Sequence, residues 1–197
     1  MGALLKEVWA SVAMTFALAV LVCAVYPLAV LVLAQSLFPG KANGSLLYRD
    51  GVAVGSRLLG QEFRDARYFH PRPSEAGEGY DGNASGGSNL GPTAGDLVKT
   101  VNQRVLKYRM ENNLDEGIPI PADAVTASAS GLDPHISLEN AMIQAVRVAE
   151  VRGWDLDKIG RLVEQHSERR ALWLLGEPCV NVLMLNMVLD GEGEEAR

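Results

Sequence analysis

Cysteine is scarce in this sequence: Cys23 and Cys179 are the two in 197 residues. One lies inside an apolar run and the other near the C-terminal end, so they make no disulfide framework. The histidines His70, His135 and His166 are scattered, with no HExxH or CxxC spacing, and no metal site is predicted. A P-loop ending and a nucleophile-elbow GxSxG are likewise missing. Basic residues are outnumbered, 18 Lys and Arg against 24 Asp and Glu, without a basic cluster. That excludes a nucleic-acid-binding surface. Charge of either sign is absent from Val8 to Gly40.

This charge-free run organises the rest of the chain. About twenty apolar residues cross a bilayer core as a helix, and a soluble core helix has no reason to be apolar on every face over such a length. Residues 8–34 read as one transmembrane helix, leaving the membrane over Gln35 to Gly40. A cleaved signal peptide is the rival, with Val32-Leu33-Ala34 as a passable cleavage site. Signal apolar regions run about 7–15 residues, however, and this one is roughly twice that. Pro27 removes a backbone hydrogen bond, which predicts a kink. Ala10, Ala13, Ala17, Ala24 and Ala34 fall on one stripe with Pro27. Small residues along a face let another helix approach closely, but alanine is also simply common in such helices, and the sequence leaves both readings open. Trp9 and Phe38 are candidate interfacial anchors. Lys6 faces Lys41 and Arg49 across the run, so flanking charge does not decide sidedness.

The expected organisation is a short tail (1–7), the transmembrane helix (8–34), a juxtamembrane link (35–44), one soluble α+β domain (45–189) and an acidic, frayed tail (190–197). Asp50-Gly51 between Leu46–Tyr48 and Val52–Val54 signals a β-hairpin, with a third short strand expected over Ser56–Phe63. Residues 64–95 lose periodicity and gather Gly, Pro, Ser and Asn, the mark of a long loop. Helices are expected from about Gly95 to Asn112, from the Ser137 cap to Arg152 before Gly153, and from the Asp155 cap to about Glu168. Val125–Ser130 reads as a brief extended segment. Pro178 onward reads as helix, although Val180-Asn181-Val182 also alternates like a strand.

Two stretches invite chemistry. Ser85–Gly91, SGGSNLG, precedes a helix as phosphate loops do, but it lacks the Gly-Lys-Ser/Thr ending and does not match GxGxxG; a structural turn is favoured. Asp133-Pro134-His135, with Ser128, Ser130 and Ser137 nearby, suggests hydrolase residues. A triad is defined by three-dimensional roles, and Asp-Pro also initiates turns, so the structural reading is favoured here too.

Five blocks then occur in order after the apolar helix: GSRLLGQ (55–61), YFHPRPS (68–74), SGGSNLGP (85–92), VTASASGLDPHIS (125–137) and GEPCVNVLMLN (176–186). Together they closely resemble the C subunit of the bacterial Kdp potassium-transporting P-type ATPase. Departures are small: Ala129 where glycine is frequent and Cys179 where arginine is usual. The resemblance implies a non-catalytic accessory subunit of an ATP-driven potassium uptake complex, needed for assembly and activity. Its implied partners are a channel-like potassium-translocating subunit, an ATP-hydrolysing P-type subunit and a very small membrane subunit in the bacterial inner membrane. The implied soluble domain is extracytoplasmic, and the subunit is viewed as raising the ATP affinity of the hydrolytic subunit. ATP and potassium are handled by the complex, and no cofactor is its own. The chain carries no DKTGT phosphorylation sequence. Were nucleotide contacted directly, Gln144, Gly86 and Gly87 would be the residues to suspect. Assembly or structural roles fall to Ala13, Ala17, Pro27, Ser88, Asn89, Asp133 and His135. The alternatives are a membrane-anchored extracytoplasmic hydrolase using His135, or a structural binding module.

Overall fold

The computed structural model describes residues 2–170, 172 and 174–195, with the side chains of 192–195 left aside. Two compact units divide the chain between Leu47 and Tyr48.

The first unit is dominated by a 36-residue helix, Gly2–Leu37, with a mean hydropathy of 2.8 over its most apolar stretch and nothing in that stretch buried. At 1.5 Å per residue it is about 54 Å long, more than the ~30 Å hydrocarbon core requires. It begins well before Val8, taking Lys6 and Glu7 into its first turns. Its parts are α1 (Gly2–Val20), a π-turn over Leu21–Val25, and α2 (Tyr26–Leu37). The π-turn, marked by the Tyr26 N–H bonding to Leu21 O, sits directly before Pro27. Wider i→i+5 bonding inserts about one extra residue into the helix, so everything beyond it is turned by roughly 100°. The stripe expected to be continuous is therefore broken: Ala13 and Ala17 lie on one face and Pro27 on another. Phe38, held out of helical geometry before Pro39, ends the long helix, and the one-turn α3 (Pro39–Ala42) follows.

Strands β1 (Leu46–Arg49) and β2 (Val52–Ser56) form a two-stranded sheet. Asp50 (φ 50°) and Gly51 (φ 79°) give the doubly left-handed turn that matches strand twist. The expected third strand does not form. The chain turns instead, with Leu59 N–H bonding to Ser56 O (3.2 Å) and Gly60 N–H to Leu132 O (2.8 Å).

After the long loop come α4 (Gly95–Glu111), the one-turn α5 (Ala122–Val125), β3 (His135–Ser137), α6 (Leu138–Arg152), α7 (Leu156–Gln165), β4 (Ser167–Glu168), β5 (Cys179–Asn181) and α8 (Val182–Glu195). The expected extended segment at Val125 is replaced by the end of α5 and a loop. The caps work as read: Ser137 Oγ accepts from Asn140 N–H (3.1 Å), Asp155 Oδ1 from Asp157 N–H (2.9 Å), and Gly153 ends α6. Strand order in the second sheet is β3-β5-β4, all antiparallel, with Ile136 opposite Val180. Those two side chains point into the core with Phe69, Ala145, Val148, Ile159, Val163, Leu185 and Leu189. Met142 on α6 is exposed.

Two further expectations change at the C-terminal end. Pro178 leads into strand β5, not a helix, and α8 starts at Val182, where Asn181 Oδ1 caps Met184 N–H (3.1 Å). Nor is Asp190 a frayed residue. Helix α8 continues through it, and its carboxylate accepts from Arg49 (2.9 Å), Tyr68 (3.0 Å) and Arg152 (3.1 Å). Burial, the largest influence on Asp190, pushes its pKa up, but the bonds from Arg152, Arg49 and Tyr68 outweigh it and hold it below the ordinary value.

Candidate functional site

The polar centre of the domain starts from a spacing on α6. Asn140, Gln144 and Arg147 follow a helical i, i+4, i+7 row beside Ala141, Ala145 and Val148, and all are buried. Buried polar groups are costly unless hydrogen-bonded, and these are fully engaged. Gln144 Oε1 accepts from His70 N–H (2.7 Å) and Arg147 (2.9 Å), while its Nε2 donates to His70 O (3.1 Å) and Asn140 Oδ1 (2.9 Å). Arg147 also donates to the carbonyls of Ala66 and Tyr68 and to Asn112 Oδ1. From α8, Asn186 brackets Phe69, accepting from its N–H and donating to its carbonyl, both at 2.9 Å. Gln144, Arg147 and Asn186 thus give Ala66, Tyr68, Phe69 and His70 backbone hydrogen bonds of the kind a neighbouring strand would supply. This clamp holds the long loop down, with Phe69 fully buried beneath it.

Beside the clamp opens a cleft of ≈ 490 Å³, lined by His70, Gln144, Asn140, Tyr108, Arg104 and Glu111 among others. Burial, then Arg147, hold His70 below its ordinary pKa, so it is neutral near pH 7. Burial pushes the Tyr108 phenol up, and Tyr108 donates to Asn140 Oδ1 (2.8 Å). Burial takes Tyr80 up to about 12, its hydroxyl donating to Arg72 O (2.5 Å). The lining is polar, but its amides and phenols are engaged in holding neighbouring segments.

The Asp133-Pro134-His135 turn lies elsewhere, at the entry to β3. Asp133 Oδ1 accepts from His135 N–H (3.0 Å) and lies 3.5 Å from His135 Nδ1; Oδ2 accepts from Arg72 (2.8 Å). The His135 contact, against burial and helped by Arg72, pulls Asp133 down to about 2. Each nearby serine serves a turn or cap. Ser128 Oγ accepts from Gly131 N–H (2.9 Å), Ser130 Oγ from Leu132 N–H (3.1 Å), and Ser137 Oγ donates to Asp123 (2.9 Å). The structure therefore brings Asp133 and His135 together, but gives neither a hydrogen bond to these serines among the described residues.

A family profile described as KdpC: K+-transporting ATPase, c chain, matches residues 8–191. The chain belongs to the KdpC family. It is 55% identical over 166 residues to the potassium-transporting ATPase KdpC subunit of Mycobacterium tuberculosis (strain ATCC 25618 / H37Rv), covering 84% of this chain and 88% of the relative. The KdpC subunit of Nitratidesulfovibrio vulgaris is 54% identical over 181 residues, 91% of each chain. That of Koribacter versatilis is 50% identical over 186 residues, covering 94% and 95%.

As a KdpC-family chain, it has its suspected nucleotide residues in two places. Gln144 lines the cleft, while Gly86 and Gly87 do not. They pack on the 128–131 loop: Gly86 N–H bonds to Ser130 O (3.0 Å), and a Cβ on Gly87 would come within 3.0 Å of Ala129 O. Ser88 and Asn89 are exposed, Asn89 with φ 51°. Ala13, Ala17 and Pro27 lie on the exposed apolar helix. Asn140, Arg147, Asn186 and Asp190 were missed as site residues. The signal for the first two was available: polar residues recurring in the apolar phase of α6.

Proposed function

We propose that this chain is the non-catalytic accessory subunit of an ATP-driven, high-affinity potassium uptake complex in the bacterial inner membrane. The single observation that carries the reading is identity of 50–55% along at least 84% of the chain to proteins named as potassium-transporting ATPase KdpC subunits. The 36-residue apolar helix fits a single membrane span, and Ala13 and Ala17 offer a small-residue face for a neighbouring helix. The partners in this reading are a channel-like potassium-translocating subunit, an ATP-hydrolysing P-type subunit and a very small membrane subunit.

The soluble domain lies outside the cytoplasm and takes no part in ATP chemistry. Gln144, the side chain best suited to meet a nucleotide, already makes four hydrogen bonds within the clamp. An external domain therefore raises ATP affinity by favouring one conformation of the membrane subunits. Such coupling free energies are typically about 1–3 kcal/mol, a change of roughly 5- to 150-fold. The test is affinity purification of the tagged chain in mild detergent from cells grown at limiting potassium. Recovery of a multi-span, potassium-stimulated ATPase is expected. Recovery of the chain alone, with uptake intact in its absence, would exclude the assignment.

A further inference from the structure

The second sheet has an outer face as well as a core face. Ile136 and Val180 point inward, so their neighbours alternate outward. On central strand β5, Cys179 stands opposite Ser137 of β3 and opposite Glu168 of β4. His135, two residues before Ser137, shares that face. A thiol, an imidazole and a carboxylate from three separate strands are thereby gathered, and one donor atom from each lies within 4.8 Å of the other two. Their sequence positions, 135, 168 and 179, carry no recognisable ligand spacing; the sheet alone assembles them.

We infer that His135, Glu168 and Cys179 form a binding site for a borderline divalent transition-metal cation, zinc(II) foremost. Sulfur, nitrogen and oxygen donors suit that class and discriminate against magnesium and calcium, which take oxygen ligands. In a tetrahedral zinc site the donor atoms are about 3.5 Å apart, so the three close by about an ångström, within the reach of Glu168, whose side chain is 44% exposed. Two neighbours already orient the ligands. Asp133 faces His135 Nδ1 at 3.5 Å, leaving Nε2 for the metal, the carboxylate–histidine–metal arrangement of many zinc sites. Arg57 holds Glu168 Oε1 at 2.7 Å and leaves Oε2 for the metal. Water completes the fourth position. On binding, the Cys179 S–H bond breaks, the sulfur–metal bond forms, and one proton passes to solvent.

The experiment uses the full chain in mild detergent with Cys23→Ala, so that Cys179 is its one thiol. Cobalt(II) is titrated as the spectroscopic probe, and zinc(II) is then competed against a chromophoric chelator. One metal per chain, with thiolate-to-cobalt charge-transfer absorption displaced by zinc, is expected. Cys179→Ala abolishes that absorption and weakens zinc binding at least tenfold. Glu168→Gln, at a partly exposed side chain that folding tolerates, also weakens it, and Asp133→Asn weakens it about 10- to 100-fold. Absence of the charge-transfer band in the parent, or zinc affinity unchanged in both Cys179→Ala and Glu168→Gln, overturns the site.

Discussion

Replacing Gln144 by Leu removes the centre of the clamp while nearly conserving volume. The four hydrogen bonds made by its amide join His70 N–H, His70 O, Arg147 and Asn140. Arg147 keeps its carbonyl acceptors and Asn140 keeps Tyr108, so the uncompensated loss falls on the two backbone groups of His70. An unsatisfied buried group costs about 1–3 kcal/mol, and the His70 pair is partly buried, which places the total at about 2–4 kcal/mol. Against a whole-domain stability of roughly 5–15 kcal/mol that is a large share. It corresponds to a fall in Tm on the order of 10 °C for a chain of this size. The assay is guanidinium unfolding of the purified chain in mild detergent, followed by tryptophan fluorescence, with limited proteolysis reporting release of residues 64–70. Unchanged stability in Gln144→Leu, together with a lost ATP response of the complex, would refute the clamp and make Gln144 a nucleotide contact.

Asp190 supplies a pH test. Its folded pKa is depressed, so its stabilising contribution is complete above the unfolded value, about 3.9, and is lost as pH falls below it. The stability gap between the parent and Asp190→Asn is therefore widest near pH 7 and shrinks below about pH 4 in denaturant titrations; a gap that widens on acidification contradicts the ion-pair hub. Gly131, at φ 68°, would place a Cβ 2.6 Å from Ala76 N and 2.8 Å from Gly86 O, so Gly131→Ala destabilises by about 2 kcal/mol or more in the same assay. Ala13→Leu with Ala17→Leu keeps the span apolar but bars close helix approach, and co-purification of the other subunits should drop; full recovery would leave the alanines as composition only.

What the sequence made legible was local. Ser137 and Asp155 cap their helices, Gly153 ends α6 and Asp50-Gly51 turns a hairpin because each device acts within a few residues. The apolar run is legible for the same reason: it needs no partner to be recognised. Strands of two or three residues have no such signature. Cys179–Asn181 is a strand because His135–Ser137 and Ser167–Glu168 flank it, and those pairings lie far apart in the chain. Asp190 opens an acidic, glycine-containing stretch that reads as a tail, yet Arg49, Tyr68 and Arg152 hold it from three distant positions. The clamp was half legible. Asn140, Gln144 and Arg147 share a phase on α6, but what they hold, a loop more than 70 residues earlier, belongs to tertiary structure. Pro27 signals a disturbance of the helix, but the π-turn over Leu21–Val25 that precedes it has no signature of its own in the sequence.

Sidedness tests most directly the claim that this domain acts on the complex without meeting ATP. Glu78 and Glu116 are exposed on the soluble domain, and each is changed to Cys in a Cys23→Ala, Cys179→Ala background. Intact spheroplasts producing the whole complex are then treated with a membrane-impermeant maleimide. Labelling at both positions before permeabilisation is expected. Protection of both until the membrane is opened would put the domain in the cytoplasm and contradict coupling from outside.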